Sequence, residues 1–97
     1  MMRESEYQGQ LIQRLKEKFP GCVILKNDAA YIQGFLDLTI LYRDKWAALE
    51  VKRHKDAVLQ PNQQYYVDEL SEMSYAAIVY PENEEEVLLA LEEAFAS

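Results

Sequence analysis

The chain has 97 residues, about half of them apolar (49%), which is enough for one compact domain over residues 1–97 and too little for two. No apolar run approaches the roughly 18 residues that a membrane span needs, and the polar start Met-Met-Arg-Glu-Ser-Glu is unlike a signal peptide, so a cytoplasmic protein is expected. The net charge of −7 opposes phosphate binding only as an average: residues 1–55 carry all ten Lys and Arg and a net of +3, whereas residues 56–97 carry −10.

Residues 4–19 place Tyr7, Leu11, Ile12, Leu15 and Phe19 at helical spacing, and Pro20-Gly21 ends that helix. A short apolar strand follows over 22–25, closed by Lys26-Asn27-Asp28. Cys22, the one cysteine, cannot form an internal disulfide and lacks the neighbours a zinc site needs, so it is expected to be a small buried apolar residue. A loop with Tyr31, Gln33 and Gly34 leads to two strand-like runs, 36–42 and 45–52, separated by Arg43-Asp44-Lys45 and therefore read as a β-hairpin. Side-chain alternation groups Asp37 with Thr39 and Leu41 on one strand, and Trp46 with Ala48, Glu50 and Lys52 on the other.

Pro61 opens a helix carrying Tyr66, Val67, Leu70 and Met73, with Gln63 in its first turn. Residues 75–80 form a strand stopped by Pro81. Asn83 is the expected N-cap of the last helix, with Glu86 in capping-box position and Val87, Leu88, Leu91 and Phe95 as its buried stripe. The order α-β-β-β-α-β-α predicts an α/β fold, a mixed central sheet flanked by helices.

The chemistry concentrates in the hairpin. Asp37 begins one strand, and Glu50 stands two residues before Lys52 on the next, so pairing brings the three together. Two carboxylates at that separation repel unless a divalent cation lies between them, and oxygen ligands suit Mg²⁺ or Mn²⁺ rather than Zn²⁺. Asp37, Glu50 and the Val51 carbonyl suffice for an ion that keeps several waters. Lys52 is placed to orient water or neutralise charge on a reacting phosphate. The bland alternative is a solvated Glu-x-Lys pair on a strand face.

Arg53, His54 and Lys55 continue as a basic run beside this site, suited to flanking phosphates, and Lys26 is a further candidate for the same face. Tyr31, Tyr65 and Tyr66 are either base-stacking residues or ordinary core and rim aromatics.

These residues carry a resemblance. The segments Glu6-Tyr-Gln8, Lys26-Asn-Asp28, residues 31–38 (YIQGFLDL), 46–52 (WAALEVK), Pro61-Asn-Gln63 and Tyr80-Pro-Glu-Asn83 resemble the PD-(D/E)xK nucleases, in particular the small stand-alone VRR-NUC-like proteins often found in bacteriophages and related to Holliday-junction resolvases. The resemblance implies a restriction-endonuclease-like core, a Mg²⁺ or Mn²⁺ cofactor and cleavage of DNA phosphodiesters; branched or flapped DNA is one substrate shape open to it, beside duplex and single strand. Expression from a phage would put the protein in the host-cell cytoplasm.

By position, Asp37 matches the family's metal-binding aspartate, Glu50 its second acid and Lys52 its lysine. Glu6, directly before Tyr7-Gln8, fits the first-helix acid better than Glu4. Gln63 resembles the glutamine at the start of the following helix, with a solvated first-turn residue as the alternative. Leu36 departs from the family's proline, which leaves the backbone before Asp37 freer. The small size of the domain favours a homodimer. The rival reading is a non-catalytic nucleic-acid-binding or protein-interaction module on a nuclease-like frame; a nuclease acting on RNA would keep the same residues.

Overall fold

The computed structural model describes residues 2–97; Met1, the first residue of the polar start, lies outside them. Helix α1 (Glu4–Lys18) is followed by strands β1 (Val23–Lys26), β2 (Leu38–Tyr42) and β3 (Lys45–Val51), helix α2 (Pro61–Met73), strand β4 (Tyr75–Val79), a 3₁₀ turn (Pro81–Asn83) and helix α3 (Glu84–Ala96). The four strands form one mixed sheet in the order β1-β2-β3-β4. The first two pairings are antiparallel and β3–β4 is parallel, α2 making the crossover that a parallel pair requires. This is the mixed, helix-flanked sheet expected from the element order.

Both faces of the sheet carry helices, and each has its own core, the α2 face staying open toward β1, where Val23, Leu25 and Leu41 are exposed. On one face, Leu38, Ile40, Ala47, Leu49, Val51 and Val79 pack against Tyr7, Leu11 and Leu15 of α1 and Val87, Leu91 and Phe95 of α3. On the other, Ala48 packs with Leu36 against Val67 and Leu70 of α2. β3 is therefore buried on both sides, which explains its small, apolar Ala47-Ala48-Leu49 centre. Ser74 ties the α2–β4 junction to the neighbouring strand through a hydrogen bond to the Trp46 carbonyl.

Several boundaries differ from the expected ones for identifiable reasons. β2 begins at Leu38 rather than at residue 36, because the carbonyls of Leu36 and Asp37 are both taken by Asn27, through its side chain and its backbone N–H. The hairpin turn is Arg43-Asp44 alone, with Lys45 already in β3, and Arg43 takes a left-handed φ of 59° while its guanidinium lies 4.8 Å over the Tyr42 ring. Asn83 does not cap α3 with its side chain. Its amide turns back to β4 instead, accepting from the Tyr80 N–H at 2.8 Å and donating to the Ile78 carbonyl at 2.9 Å. Cys22 is half-buried at the margin of the α1 core rather than fully enclosed.

The two oppositely charged halves of the chain are folded against each other. Glu84 of α3 receives both Arg14, at 2.5 and 2.8 Å, and the Tyr7 hydroxyl at 2.8 Å, and Lys18 lies 3.5 Å from Glu92. Two of the cations on α1 are thus engaged by α3 carboxylates.

Candidate active site

The antiparallel and parallel pairings bring four chain segments to one edge of the sheet: Asn27 after β1, Asp37 before β2, Glu50 to Lys52 at the end of β3, and Tyr80 after β4. The register aligns Leu38 with Leu49, so the next step along each strand sets Asp37 across from Glu50. This juxtaposition follows from the short hairpin and from the alternation that buries Leu38 and Leu49 on the opposite face.

Asp37 is held from three directions. Asn27 donates its side-chain amide to the Leu36 carbonyl at 2.8 Å and to Thr39 Oγ1 at 3.0 Å, and its backbone N–H to the Asp37 carbonyl at 2.8 Å. Val51 N–H donates to Asp37 Oδ2 at 2.8 Å, so the carboxylate stands in for a strand carbonyl where the β2–β3 ladder ends. Leu36 is fully buried under α2. The freedom expected from leucine in place of proline is thereby removed by other means: apolar packing holds the Leu36 side chain and Asn27 holds its carbonyl.

Glu50 is 1% exposed, and its two oxygens differ. Oε2 accepts from Gln63 Nε2 at 2.6 Å and lies 3.4 Å from Lys52 Nζ. Oε1 is buried without a hydrogen-bond partner among the described residues. Burial, then the neighbouring Asp37 charge, push the Glu50 carboxyl up to about 7 against the opposing pull of Lys52, and the charge of Glu4 adds to the rise.

Lys52 is 9% exposed and donates to Gln63 Oε1 at 3.2 Å. Gln63 is thus bonded to both members of the Glu-x-Lys pair and also accepts from Gln60 N–H at 2.9 Å, locking its amide into the first turn of α2. Of the two readings open for Gln63, the one that hydrogen-bonds the site is observed. Gly34 makes this approach of α2 possible: its φ is +83°, and a Cβ there would meet Asn62 Cβ at 2.3 Å.

A cleft of about 330 Å³ lies on the β4 side, lined by Lys52, His54, Lys55, Leu59, Ile78 and Tyr80 among others. The basic run does not extend β3 as expected; the strand ends at Val51, and residues 53–57 turn so that Ala57 N–H bonds the His54 carbonyl at 3.1 Å. His54 Nδ1 accepts from Asp56 N–H at 3.1 Å, so a neutral imidazole carries its proton on Nε2. Arg53, between Lys52 and His54 in the chain, is exposed and is not part of the cleft's lining.

Two expected site residues are not brought in. Glu6 is exposed and paired with Arg3 at 2.7 Å, and it is Glu4 whose charge is felt at Glu50. The helical phase explains this, since Glu4 stands three and seven residues before the buried Tyr7 and Leu11, whereas Glu6 is off that stripe. Lys26 pairs with Leu38 and so points to the opposite sheet face from Glu50. Asn27, which the sequence presents only as part of the polar end of a strand and of a resembling segment, is the functional residue that its spacing does not reveal; its role depends on β1 pairing with β2.

Among the described residues, no three His, Cys, Asp or Glu side chains cluster closely enough to hold a metal by themselves. The arrangement is instead a pair of carboxylates, one with an unpartnered buried oxygen, which is the donor set of an oxygen-seeking divalent cation that retains waters. The residues present therefore fit Mg²⁺ or Mn²⁺.

Among solved structures, the chain is similar to a protein described as a VRR_NUC domain protein, with a TM-score of 0.69 and 16% identity over 97% of this chain and 88% of that one. At that identity the likeness is one of fold. No protein-family model matches the sequence, and no curated protein matches it. Among the described residues, no helix is long and apolar enough to cross a membrane.

Proposed function

We propose that this chain is a metal-dependent nuclease of the PD-(D/E)xK type that hydrolyses DNA phosphodiester bonds. The observation that carries the reading is Glu50: an ionisable group is buried against Asp37 with one oxygen unpartnered among the described residues, an arrangement that costs stability and that is concentrated at active sites. The VRR_NUC likeness of the fold supports it.

Asp37, Glu50 and the Val51 carbonyl would hold Mg²⁺ or Mn²⁺, with Glu4 rather than Glu6 adding negative potential from α1. Such an ion, when bound, polarises a phosphoryl oxygen and lowers the pKa of water. The chain's own groups do the rest. Gln63 and Val51 N–H fix the two carboxylates, so that little rearrangement is needed when charge moves. Lys52 Nζ, held at 3.2 Å from Gln63, supplies a fixed positive charge beside the reacting phosphate. His54 and Lys55 in the β4-side cleft, and Arg53 next to them in the chain, take neighbouring phosphates.

A homodimer acting on branched or flapped DNA extends this reading. Its support is the unpaired outer edge of β1 and the exposed Val23, Leu25 and Leu41, which form a face that a two-fold copy would cover. Labelled single-stranded, duplex, flapped and four-way-junction DNA, incubated with Mg²⁺, Mn²⁺ or EDTA, tests the proposal. Cutting that needs metal and is abolished by Glu50→Ala and by Lys52→Ala is expected; intact DNA with a folded protein would leave the non-catalytic module.

A further inference from the structure

The sheet edge that carries the two carboxylates is flanked unequally. On the β4 side lies the cleft with Lys52, His54 and Lys55. On the β1 side lies a second pocket, about 340 Å³, lined by Asn27, Asp28, Tyr31, Ile32 and Phe35, with no Lys or Arg in its wall. The nearest cation along the chain, Lys26, belongs to the other face of the sheet.

Tyr31 is 86% exposed, the most exposed large hydrophobic side chain among the described residues, yet the loop that carries it is tied down. Asp28 Oδ1 accepts from Ala30 N–H at 2.8 Å, and the Asp28 carbonyl from Tyr31 N–H at 3.1 Å. At the loop's far end, Phe35 packs edge-on against Tyr66 with centroids 5.3 Å apart, and Gly34 abuts Asn62. An aromatic ring is therefore presented to solvent on a fixed frame, and Asn27, in the same pocket's lining, is bonded directly to the Asp37 carbonyl.

We propose that the Tyr31 pocket receives an unpaired nucleobase of the strand held at Asp37 and Glu50. The inference rests on the nuclease reading for its position next to a scissile bond. Charge decides the ligand: Asp28 repels a phosphate, and the absence of cations in the wall leaves nothing to replace released counterions, whereas a neutral base offers a face to stack on Tyr31. Asp28 Oδ2 accepts from an exocyclic amino group, as found on cytosine, adenine or guanine. Inside a duplex the face of each base is covered by its stacked neighbours, so a base free of the stack is the one that offers its face to Tyr31 and its amino group to Asp28. The substrate class is thus a strand with unpaired nucleotides beside the cut, backbone on the cationic side and base on the tyrosine side.

The test is fluorescence anisotropy of fluorescein-labelled 12-nucleotide single strands, as dC12, dT12 and the ribo form C12, with Ca²⁺ in place of Mg²⁺. Tyr31→Ala is expected to weaken dC12 binding about 5- to 100-fold. Tyr31→Phe restores it to within about twofold, since the ring face is what stacks. Asp28→Ala is expected to erase a preference for dC12 over dT12. An effect of Tyr31→Ala with C12 alone would assign the base to RNA rather than DNA. Unchanged affinity of Tyr31→Ala for every strand, or no binding of any strand by the wild type, overturns the proposal. Binding is read without turnover, so the two readings separate. A chain that never cuts but needs Tyr31 to bind keeps this pocket and loses the nuclease, and one that cuts but binds equally without Tyr31 does the reverse.

Discussion

Gln63 donates its amide N–H to Glu50 Oε2 at 2.6 Å while its amide oxygen accepts from Lys52 at 3.2 Å, so one neutral side chain from α2 bridges the acid and the base at the end of β3. It also accounts for why the buried pair tolerates its burial: each charge has a partner of fixed geometry beyond the other. Gln63→Ala removes three hydrogen bonds at once. A loss of about 1–3 kcal/mol is expected by urea unfolding. Cleavage should fall about 10- to 100-fold, because the orientation of a metal-ligating carboxylate is lost.

The carboxyl of Glu50, pushed up to about 7 by burial and by Asp37, makes stability and metal binding respond to pH in opposite directions. Its value in the fold lies above the ordinary one, so the protonated form is favoured by folding. The stabilisation is complete below about 4.5 and is lost as pH rises through about 7. In EDTA, the melting temperature of the wild type should therefore fall between pH 5.5 and 8.5 relative to Glu50→Gln, which lacks the titration. A divalent ion needs the ionised carboxylate, so Mn²⁺ affinity should rise over the same interval.

Asn27 positions Asp37 through the Leu36 carbonyl, the Asp37 carbonyl and Thr39. Asn27→Ala retains the backbone bond but strips the side-chain ones, leaving the Leu36 carbonyl without its donor. A cost of about 1–3 kcal/mol in urea unfolding is expected, together with weaker Mn²⁺ binding. Thr39→Val removes only one side of that network and should cost less.

Gly34→Ala combines a left-handed φ of +83° with a contact of 2.3 Å to Asn62 Cβ and contacts of 3.1 and 3.2 Å to the Asn62 backbone. The obstacle is the Asn62 Cβ, which is fixed to the helix backbone and is no flexible side-chain end, so the first turn of α2 must move and take Gln63 with it. Destabilisation of about 1–3 kcal/mol is expected from backbone strain alone. Thermal unfolding measures it, and cleavage by the folded fraction should also drop.

The two acids in the first turn of α1 give a sharp comparison. Glu4→Gln should lower the pH midpoint of the Glu50-dependent Mn²⁺ binding, because Glu4 contributes to the raised Glu50 carboxyl. Glu6→Gln, which only frees an exposed Arg3, should leave that midpoint where it is.

How much of this could be read beforehand depended on the range of the interaction. Helix and strand periods are local, and the α1 stripe, the hairpin and the Pro61 helix start all stand close to where spacing predicts them. Asp37, Glu50 and Lys52 were legible because a short hairpin leaves few ways to pair them, whereas Gln63 was suggested by the resemblance alone, with a solvated first-turn residue equally open until α2 is seen to set its amide against Glu50 and Lys52. Asn27 was not, since nothing in its neighbourhood reveals that β1 will pair with β2. The turn at residues 53–57 was hidden for a similar reason: β3 stops where its parallel partner β4 stops, at the Val51–Val79 pair. Glu4 is marked by helical phase, three residues before Tyr7 and seven before Leu11, whereas adjacency to the resembling Tyr7-Gln8 pair points to Glu6.

The account rests on Glu50 as a metal ligand, and the most direct measurement is a Mn²⁺ titration of the wild type and Glu50→Gln, followed by electron paramagnetic resonance at pH 8. Loss of the free-ion signal on adding wild-type protein, with the signal retained for a folded Glu50→Gln, is the predicted result. A free-ion signal unaffected by the wild type, or equal binding by the two proteins, would contradict it.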